Sequence, residues 1–223
     1  MVFVFEEDGE WAVIGLSRAG LLSDETAQSY EQTVEDYVKQ AGSVRLHHAK
    51  STENSRAILG LTAAGYNAAN MAGVDLTAGL TDMAYLRAQG TNGPIWALIA
   101  LDCHGYDIPQ CADGEEQTTC EGLVAEILSY QCSDGGWALM GDESDVDMTA
   151  MALTSLAPYQ EETDIKAAVD APLTYLSDAQ QADGTGGHEP PQLLHPFQIP
   201  QKQPQRQEQS HAEDHCQQLL GKA

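Results

Sequence analysis

The feature that most constrains this chain is an internal repeat of a short apolar segment that ends in glycine. Three copies align as VIGLSRAG from residue 13, ILGLTAAG from residue 58 and LIALDCHG from residue 98. The shared positions are Leu16, Leu61 and Leu101, each followed four residues later by Gly20, Gly65 or Gly105. A fourth copy, at residues 154–159, keeps Leu156 but ends in Pro-Tyr. The copies recur every ~40 to 55 residues, which is the length of a helical hairpin with its loops.

Four longer, amphipathic segments alternate with the apolar ones, and their apolar residues recur three and four positions apart. They are residues 26–40, 76–89, 118–131 and 165–180. This alternation predicts an all-α fold, with the apolar helices as an inner layer and the amphipathic helices as an outer layer. The low aromatic content of 6% also suits closely packed helices. Stacked hairpins of this kind form either a superhelical solenoid or a closed α/α toroid.

The chain changes character after Gly187. Residues 188–223 contain five of the nine prolines, four of the seven histidines and many glutamines. Frequent proline is incompatible with packed helices, and few apolar side chains are present to anchor the segment. We therefore expect a helical domain at residues 1–187 and a disordered or irregular tail at 188–223. One hypothesis is that the tail is a foreign or frame-shifted end on a truncated repeat domain.

The charge balance limits the partners. The net charge of −24 repels phosphate backbones and anionic lipid, so no nucleic-acid partner is predicted. No stretch has the ~18 apolar residues of a membrane helix, and the N-terminus lacks the basic and apolar regions of a signal peptide. The five cysteines include no C-x-x-C pair. Cys111 and Cys120 bracket a polar loop and are candidates for a bridge in an oxidising compartment.

A resemblance to a known family begins with the sequence ILSYQCSDGGW, which ends at Trp137. It resembles the QW repeat of terpenoid cyclases, in which a glutamine and a G-x-W motif tie an outer helix to the next inner helix. The matching residues are Gln131, Gly135 and Trp137. The next copy keeps Gln180 and Gly184 but has Gly186 where the tryptophan is expected.

Residues 9–187 more broadly resemble the prenyltransferase and squalene-cyclase repeat domains of bacteria, especially Firmicutes. The stretches STENSRAILGLTAAG, NGPIWALIALD, DGGWAL and DMTAMALTSLAPY carry this match. The resemblance implies an α/α toroid and a secreted or surface-attached protein. It says little about activity, because members of this superfamily differ in function on one scaffold. A full toroid has about six hairpins, whereas about four are recognised in this chain.

The motif Asp145-Val-Asp147-Met148-Thr149-Ala150 resembles the D-x-D-D-T-A acid motif of terpene cyclases. Met148 replaces the last aspartate of that motif, so a hydrogen-bonding partner of the acid is missing. Asp145 and Asp147 are therefore weak candidates for acid catalysis. A capping box with Ser144 as N-cap and Asp147 at N3 explains the same residues, and we predict that structure.

Two further polar clusters are candidate sites. Asp102, Cys103 and His104 are the residue types that bind zinc in protein prenyltransferases, but consecutive helical residues point about 100° apart and do not converge on one ion. His47 and His48 lie in a loop without a nearby nucleophile motif. The sequence therefore predicts no metal site and no cofactor.

The aromatic residues are the predicted ligand-binding set. Three tryptophans lie near the starts of inner helices and are expected to gather at one end: Trp11, Trp96 and Trp137. Three tyrosines end inner helices and are expected to line the opposite mouth: Tyr66, Tyr106 and Tyr159. Core packing explains such aromatics too; the functional alternative is an aromatic-rimmed cavity for an apolar ligand.

These patterns predict a non-catalytic repeat domain that binds an apolar or ring-shaped ligand or serves as a scaffold. Two enzymatic alternatives stay open. One is a terpene-cyclase-like enzyme with Asp147 as general acid, and the other is an α/α-toroid carbohydrate-active enzyme with two carboxylates ~5 to 9 Å apart. An open array of four hairpins exposes the apolar faces of its inner helices, which predicts self-association.

Overall fold

The computed structural model describes residues 9–161 and 163–180, and its regular structure there is helical, with isolated β-bridges but no strand. The all-α prediction is thus confirmed. The α-helices are α1 (Gly9–Arg18), α2 (Asp24–Ala41), α3 (Thr52–Ala63), α4 (Met83–Arg87), α5 (Asn92–Asp102), α6 (Cys120–Ser129), α7 (Val146–Leu156) and α8 (Thr163–Ala179). None of these described helices is long and apolar enough to cross a membrane.

The described residues all belong to the first of two units into which the chain divides, residues 1–188 and 189–223. The tail predicted at 188–223 lies outside the described residues. Four thiols in the described part are free: those of Cys103, Cys111, Cys120 and Cys132. The bridge considered between Cys111 and Cys120 is therefore not formed.

The four apolar segments form α1, α3, α5 and α7, which pack against one another in chain order. We call these the inner helices. Three of the four amphipathic segments form the single helices α2, α6 and α8. The other, at 76–89, is instead a 3-10 helix, Leu76–Leu80, followed by the short helix α4. A bridge between Asp82 and Gln117 causes the break, because the backbone near Asp82 pairs with another loop and leaves the helical ladder.

The glycine of the repeat ends each of the first three inner helices. Gly20, Gly65 and Gly105 have φ values of +67°, +88° and +63°, the left-handed region that glycine enters without strain. In all three copies the amide of the next residue donates to the carbonyl of the repeat leucine, at 2.8 to 2.9 Å. This is the Schellman helix ending, which satisfies carbonyls left free at the helix terminus. The fourth copy lacks the glycine, and α7 continues into the 3-10 helix Ala157–Tyr159.

A second glycine of the repeat lets α2 approach the inner helix α3 closely. Gly60 of α3 lies against the Tyr30 ring of α2, and a Cβ at Gly60 would overlap the Tyr30 hydroxyl. That hydroxyl is fully buried without a hydrogen-bond partner, and burial raises its pKa strongly. Gly15 holds the same repeat position in α1, but open space surrounds it.

We expect Gly60→Ala to lower the free energy of unfolding by about 1 to 3 kcal/mol, as overpacked cores do. Gly15→Ala is the matched control and should raise it by about 0.5 to 1 kcal/mol through helix propensity alone. Tyr30→Phe combined with Gly60→Ala should recover part of the lost stability, because it removes the overlapping hydroxyl. The recovery should be incomplete because the ring carbon Cζ stays 2.7 Å from the added methyl group. Urea unfolding measures all four proteins, and equal effects of the two alanines would contradict the packing assigned to Tyr30.

Candidate functional site: a groove across the inner helices

One partly exposed face is shared by the first three inner helices. Its residues recur three and four positions apart, so they lie on the same side of each helix. They are Trp11, Ile14 and Arg18 in α1, Arg56, Leu59 and Ala63 in α3, and Trp96, Ile99 and Cys103 in α5. We call this surface the open face. Because α3 packs between α1 and α5, the three rows lie side by side.

A groove with a cavity of about 410 Å³ lies in the open face, towards the C-terminal ends of the helices. Its lining consists of Ile14, Ser17, Arg18, Leu59, Thr62, Ala63 and Cys103. The volume falls within the ~300 to 1,000 Å³ of small-molecule pockets. Ile14, Leu59 and Ala63 supply aliphatic surface, and the other four lining residues are polar, so the groove offers an apolar group only part of its lining.

The hydroxyl groups of the groove already have partners in the protein. Ser17 Oγ donates to the Ala63 carbonyl at 2.6 Å, and Thr62 Oγ1 donates to the Ile58 carbonyl at 2.7 Å. The Cys103 thiol is close to the Ala100 carbonyl, at 3.1 Å, and burial raises its pKa, which favours the neutral form. Arg18 is the charged lining residue. Within the described part of the chain its guanidinium forms no ion pair.

Trp11 and Trp96 lie at the other end of the open face and contact each other. Their ring centroids are 5.3 Å apart with the planes tilted by 54°, an arrangement that aromatic pairs favour. Trp11 is 40% exposed, and Trp96 is half-buried. The same repeat position in α3 is held by Arg56, whose guanidinium pairs with the fully buried Glu10 at 2.9 Å. Two of the three predicted tryptophans, Trp11 and Trp96, thus contact each other, and the equivalent position of α3 carries the charged Arg56.

Trp137 lies apart from this pair, in the core. Its indole is fully buried, and its N–H donates to the Ile127 carbonyl at 2.7 Å. Its backbone amide donates to Thr149 Oγ1 at 2.9 Å, which joins the loop before α7 to that helix. A ligand has no access to a ring in this position, so the role of Trp137 is structural.

The three predicted tyrosines are half-buried and make different contacts. Tyr106 accepts the Ala68 amide at 3.2 Å and bonds to the Thr62 hydroxyl at 2.8 Å, so it supports the groove from behind. Tyr159 donates to an Asp102 carboxylate oxygen at 3.1 Å. Tyr66 packs against the hydrophobic core. None of the three is among the residues that line the groove.

The acid motif forms a helix start, shifted by one residue from the prediction. Asp145 is the N-cap of α7, and its carboxylate accepts the Met148 amide at 2.9 Å. Ser144 instead contacts Asp134, and Asp147 is the second residue of the helix and is exposed. The predicted capping box with Ser144 as N-cap is therefore wrong in its register. Asp147 is thus an acidic residue in the first turn, which complements the helix dipole.

The two other polar clusters have structural contacts. Asp102 accepts Tyr159, Cys103 faces the groove, and the His104 ring lies 5.3 Å from that of Tyr106. The rings of His47 and His48 stack at 4.4 Å, and His47 Nδ1 accepts two backbone amides at 3.0 Å. Among the described residues, no three His, Cys, Asp or Glu side chains are grouped so as to hold a metal ion.

Comparisons of the chain with protein-family models, with curated proteins and with solved structures give no match. The geometry of the groove and of the repeat is therefore the basis for the functional interpretation. The resemblance to prenyltransferase and squalene-cyclase repeats enters that interpretation as a proposal.

Sequence patterns alone did not predict the groove residues Ile14, Leu59, Thr62 and Cys103. A usable signal exists in the repeat. The positions three and seven residues after Trp11 are Ile14 and Arg18, and the same offsets from Trp96 give Ile99 and Cys103. Side chains at these spacings share one helix face with the tryptophan, so the aromatic residues mark the row that contains the groove lining.

Glu53, in the first turn of α3, is a buried carboxyl that the sequence did not single out. It is 8% exposed, and its Oε2 atom has no hydrogen-bond partner. Burial raises its pKa above the ordinary value of 4.5, although the positive charges of Arg56 and Lys50 oppose this shift. The folded state therefore holds this proton to higher pH than the unfolded chain does.

The proton balance predicts that the Glu53 contribution to stability falls as pH rises above about 4.5, since the native state binds more protons there. Glu53→Gln should remove this contribution, so the variant gains stability relative to the parent between about pH 4 and pH 7. Glu121→Gln is the matched control, because Glu121 is also the second residue of its helix but is exposed. An identical pH dependence of unfolding for parent and Glu53→Gln would contradict the assignment.

Proposed function

We propose that the helical domain is a non-catalytic binding module whose ligand has an apolar or ring-shaped body held in the groove of the open face. The observation that carries this proposal is the combination of a cavity of about 410 Å³, whose lining includes the aliphatic side chains of Ile14, Leu59 and Ala63, with the Trp11–Trp96 pair on the same face. The aliphatic side chains contact an apolar body, and aromatic rings add flat surface for it to contact.

We further propose that the domain is of the α/α toroid class, as a four-hairpin part of a prenyltransferase and squalene-cyclase type repeat array in a bacterial, surface-associated protein. The contacts of Gln131 support the class. Its side-chain amide donates to the Gly135 carbonyl at 2.7 Å and to the Ala168 carbonyl at 2.8 Å. The first bond links the end of α6 to the loop before the inner helix α7, the kind of tie for which the QW repeat is known, and the second links α6 to α8.

Binding is favoured over catalysis by the chemistry of the groove. The described residues that line it include no carboxylate, whereas glycoside hydrolysis requires two that flank the substrate. Asp147, the acid in the terpene-cyclase alternative, is exposed in the first turn of α7. A carboxyl that protonates an olefin must instead be kept protonated by a dry environment. Neither enzymatic alternative therefore forms part of the proposal.

The neutral fluorescent probe N-phenyl-1-naphthylamine tests the binding proposal. We expect the probe to bind the full chain saturably and one to one. Ala63→Phe should weaken its affinity by at least about tenfold, because the added ring fills the cavity. Ala88→Phe is the matched control, since it places the same ring on an exposed alanine outside the groove. Titration by fluorescence gives the dissociation constants, with circular dichroism to compare folding.

Two results would contradict the proposal. One is binding that does not saturate or has no fixed stoichiometry, which indicates adsorption to exposed apolar surface. The other is an equal loss of binding in Ala63→Phe and Ala88→Phe.

A further inference from the structure

The array of inner helices has two open edges. Each of the contacts α1–α3, α3–α5 and α5–α7 joins an inner helix to the next one, so α3 and α5 have inner neighbours on both sides. Within the described array, α3 is the main inner neighbour of α1, and α5 is the main inner neighbour of α7. The repeat aligns the four helices, which allows each open edge to be compared with the positions that are covered in the other copies.

The α1 edge exposes positions that all other inner helices bury. Leu16 is 38% exposed, and Ala12 and Gly15 are also exposed. The residues aligned with Leu16 are at most 1% exposed, and those aligned with Ala12 are 0% exposed. The aligned residues are Leu61, Leu101 and Leu156, and Ala57, Ala97 and Ala152.

The α7 edge shows the complementary pattern. Ala150 is exposed, although the three residues aligned with it are all 0% exposed. Those residues are Glu10, Ser55 and Ile95. Ala157 is likewise exposed, whereas its equivalents in the other three inner helices are half-buried. The outer helix at this end, α8, carries Leu173, which is 54% exposed.

We infer that two copies of this chain associate head to tail, with the α7 edge of one copy against the α1 edge of the other. This contact continues the interface that already recurs three times within the chain, and it covers the positions that the repeat normally buries. An interface between two different surfaces is heterologous, so it leaves one free edge on each end of the pair and permits further addition. The inference does not depend on the ligand proposed for the groove.

The charge distribution favours the α1 edge as the contact surface between two copies of the chain. The chain carries a net charge of −24, but residues 9–23 contain only Glu10, which is buried and paired, and Arg18. The exposed surface of α1 therefore adds no negative charge to the contact. Long-range repulsion between the copies still opposes association, and added salt screens it. Association should consequently strengthen with ionic strength.

Sedimentation velocity of the full chain over a concentration series tests the inference, at about 0.05 M and about 0.5 M salt. We expect reversible self-association that is stronger at high salt. Leu16→Glu and Ala150→Glu should each weaken it by more than about tenfold, because each places an unpaired carboxylate in the contact. Met140→Glu is the control for added charge, since Met140 is 84% exposed in the loop before α7 and is not one of the repeat positions assigned to either edge, and it should associate like the parent.

A mixture of Leu16→Glu and Ala150→Glu distinguishes the geometry. The first variant keeps a normal α7 edge and the second a normal α1 edge, so the mixture should form heterodimers and stop there. A symmetric α1–α1 dimer predicts instead that Ala150→Glu associates normally and that the mixture shows no recovery. That result, or a monomer at all concentrations and salt levels, would overturn the inference. Circular dichroism of each variant separates loss of association from loss of folding.

Discussion

The hydrogen bond from the residue after each glycine back to the repeat leucine is the interaction on which the architecture depends. It ends α1, α3 and α5 within one residue of the same repeat position, at 2.8 to 2.9 Å in every copy. Because each helix ends in the same phase, each following segment leaves from an equivalent point and the next inner helix returns in register. The alignment of Trp11, Arg56 and Trp96 across three helices follows from that register, as does the position of the groove.

The segment from Gln131 to Trp137 contains two residues with separate structural roles. Gln131 connects backbone carbonyls of two different elements, and the Trp137 indole fills the core between α6 and α7. Both residues satisfy backbone carbonyls, Gln131 at part-buried positions and Trp137 in the core. Trp11 and Trp96, by contrast, lie on the open face, where Trp11 is exposed and Trp96 is half-buried.

The helical class and the inner helices were predictable because the repeat and its periodicity are local properties of the sequence. The break in the segment at 76–89 was not, since it depends on a bridge from Asp82 to the distant Gln117. The cap of α7 was misplaced by one residue because Ser144 and Asp145 are both good N-caps, and the contact between Ser144 and Asp134 decides between them. The groove was not predicted because side chains from three helices form it, and their proximity depends on the packing of those helices.

The sequential packing of the inner helices also determines how the domain opens. Each inner helix contacts mainly the inner helices before and after it in the chain. The stability of each hairpin is therefore coupled mainly to that of its neighbours, as in a one-dimensional array. Amide protons in α3 and α5 are protected from both sides, whereas those in α1 can exchange when a single interface opens. The end of the array that includes Trp11 and one side of the groove is thus able to loosen while the centre stays folded.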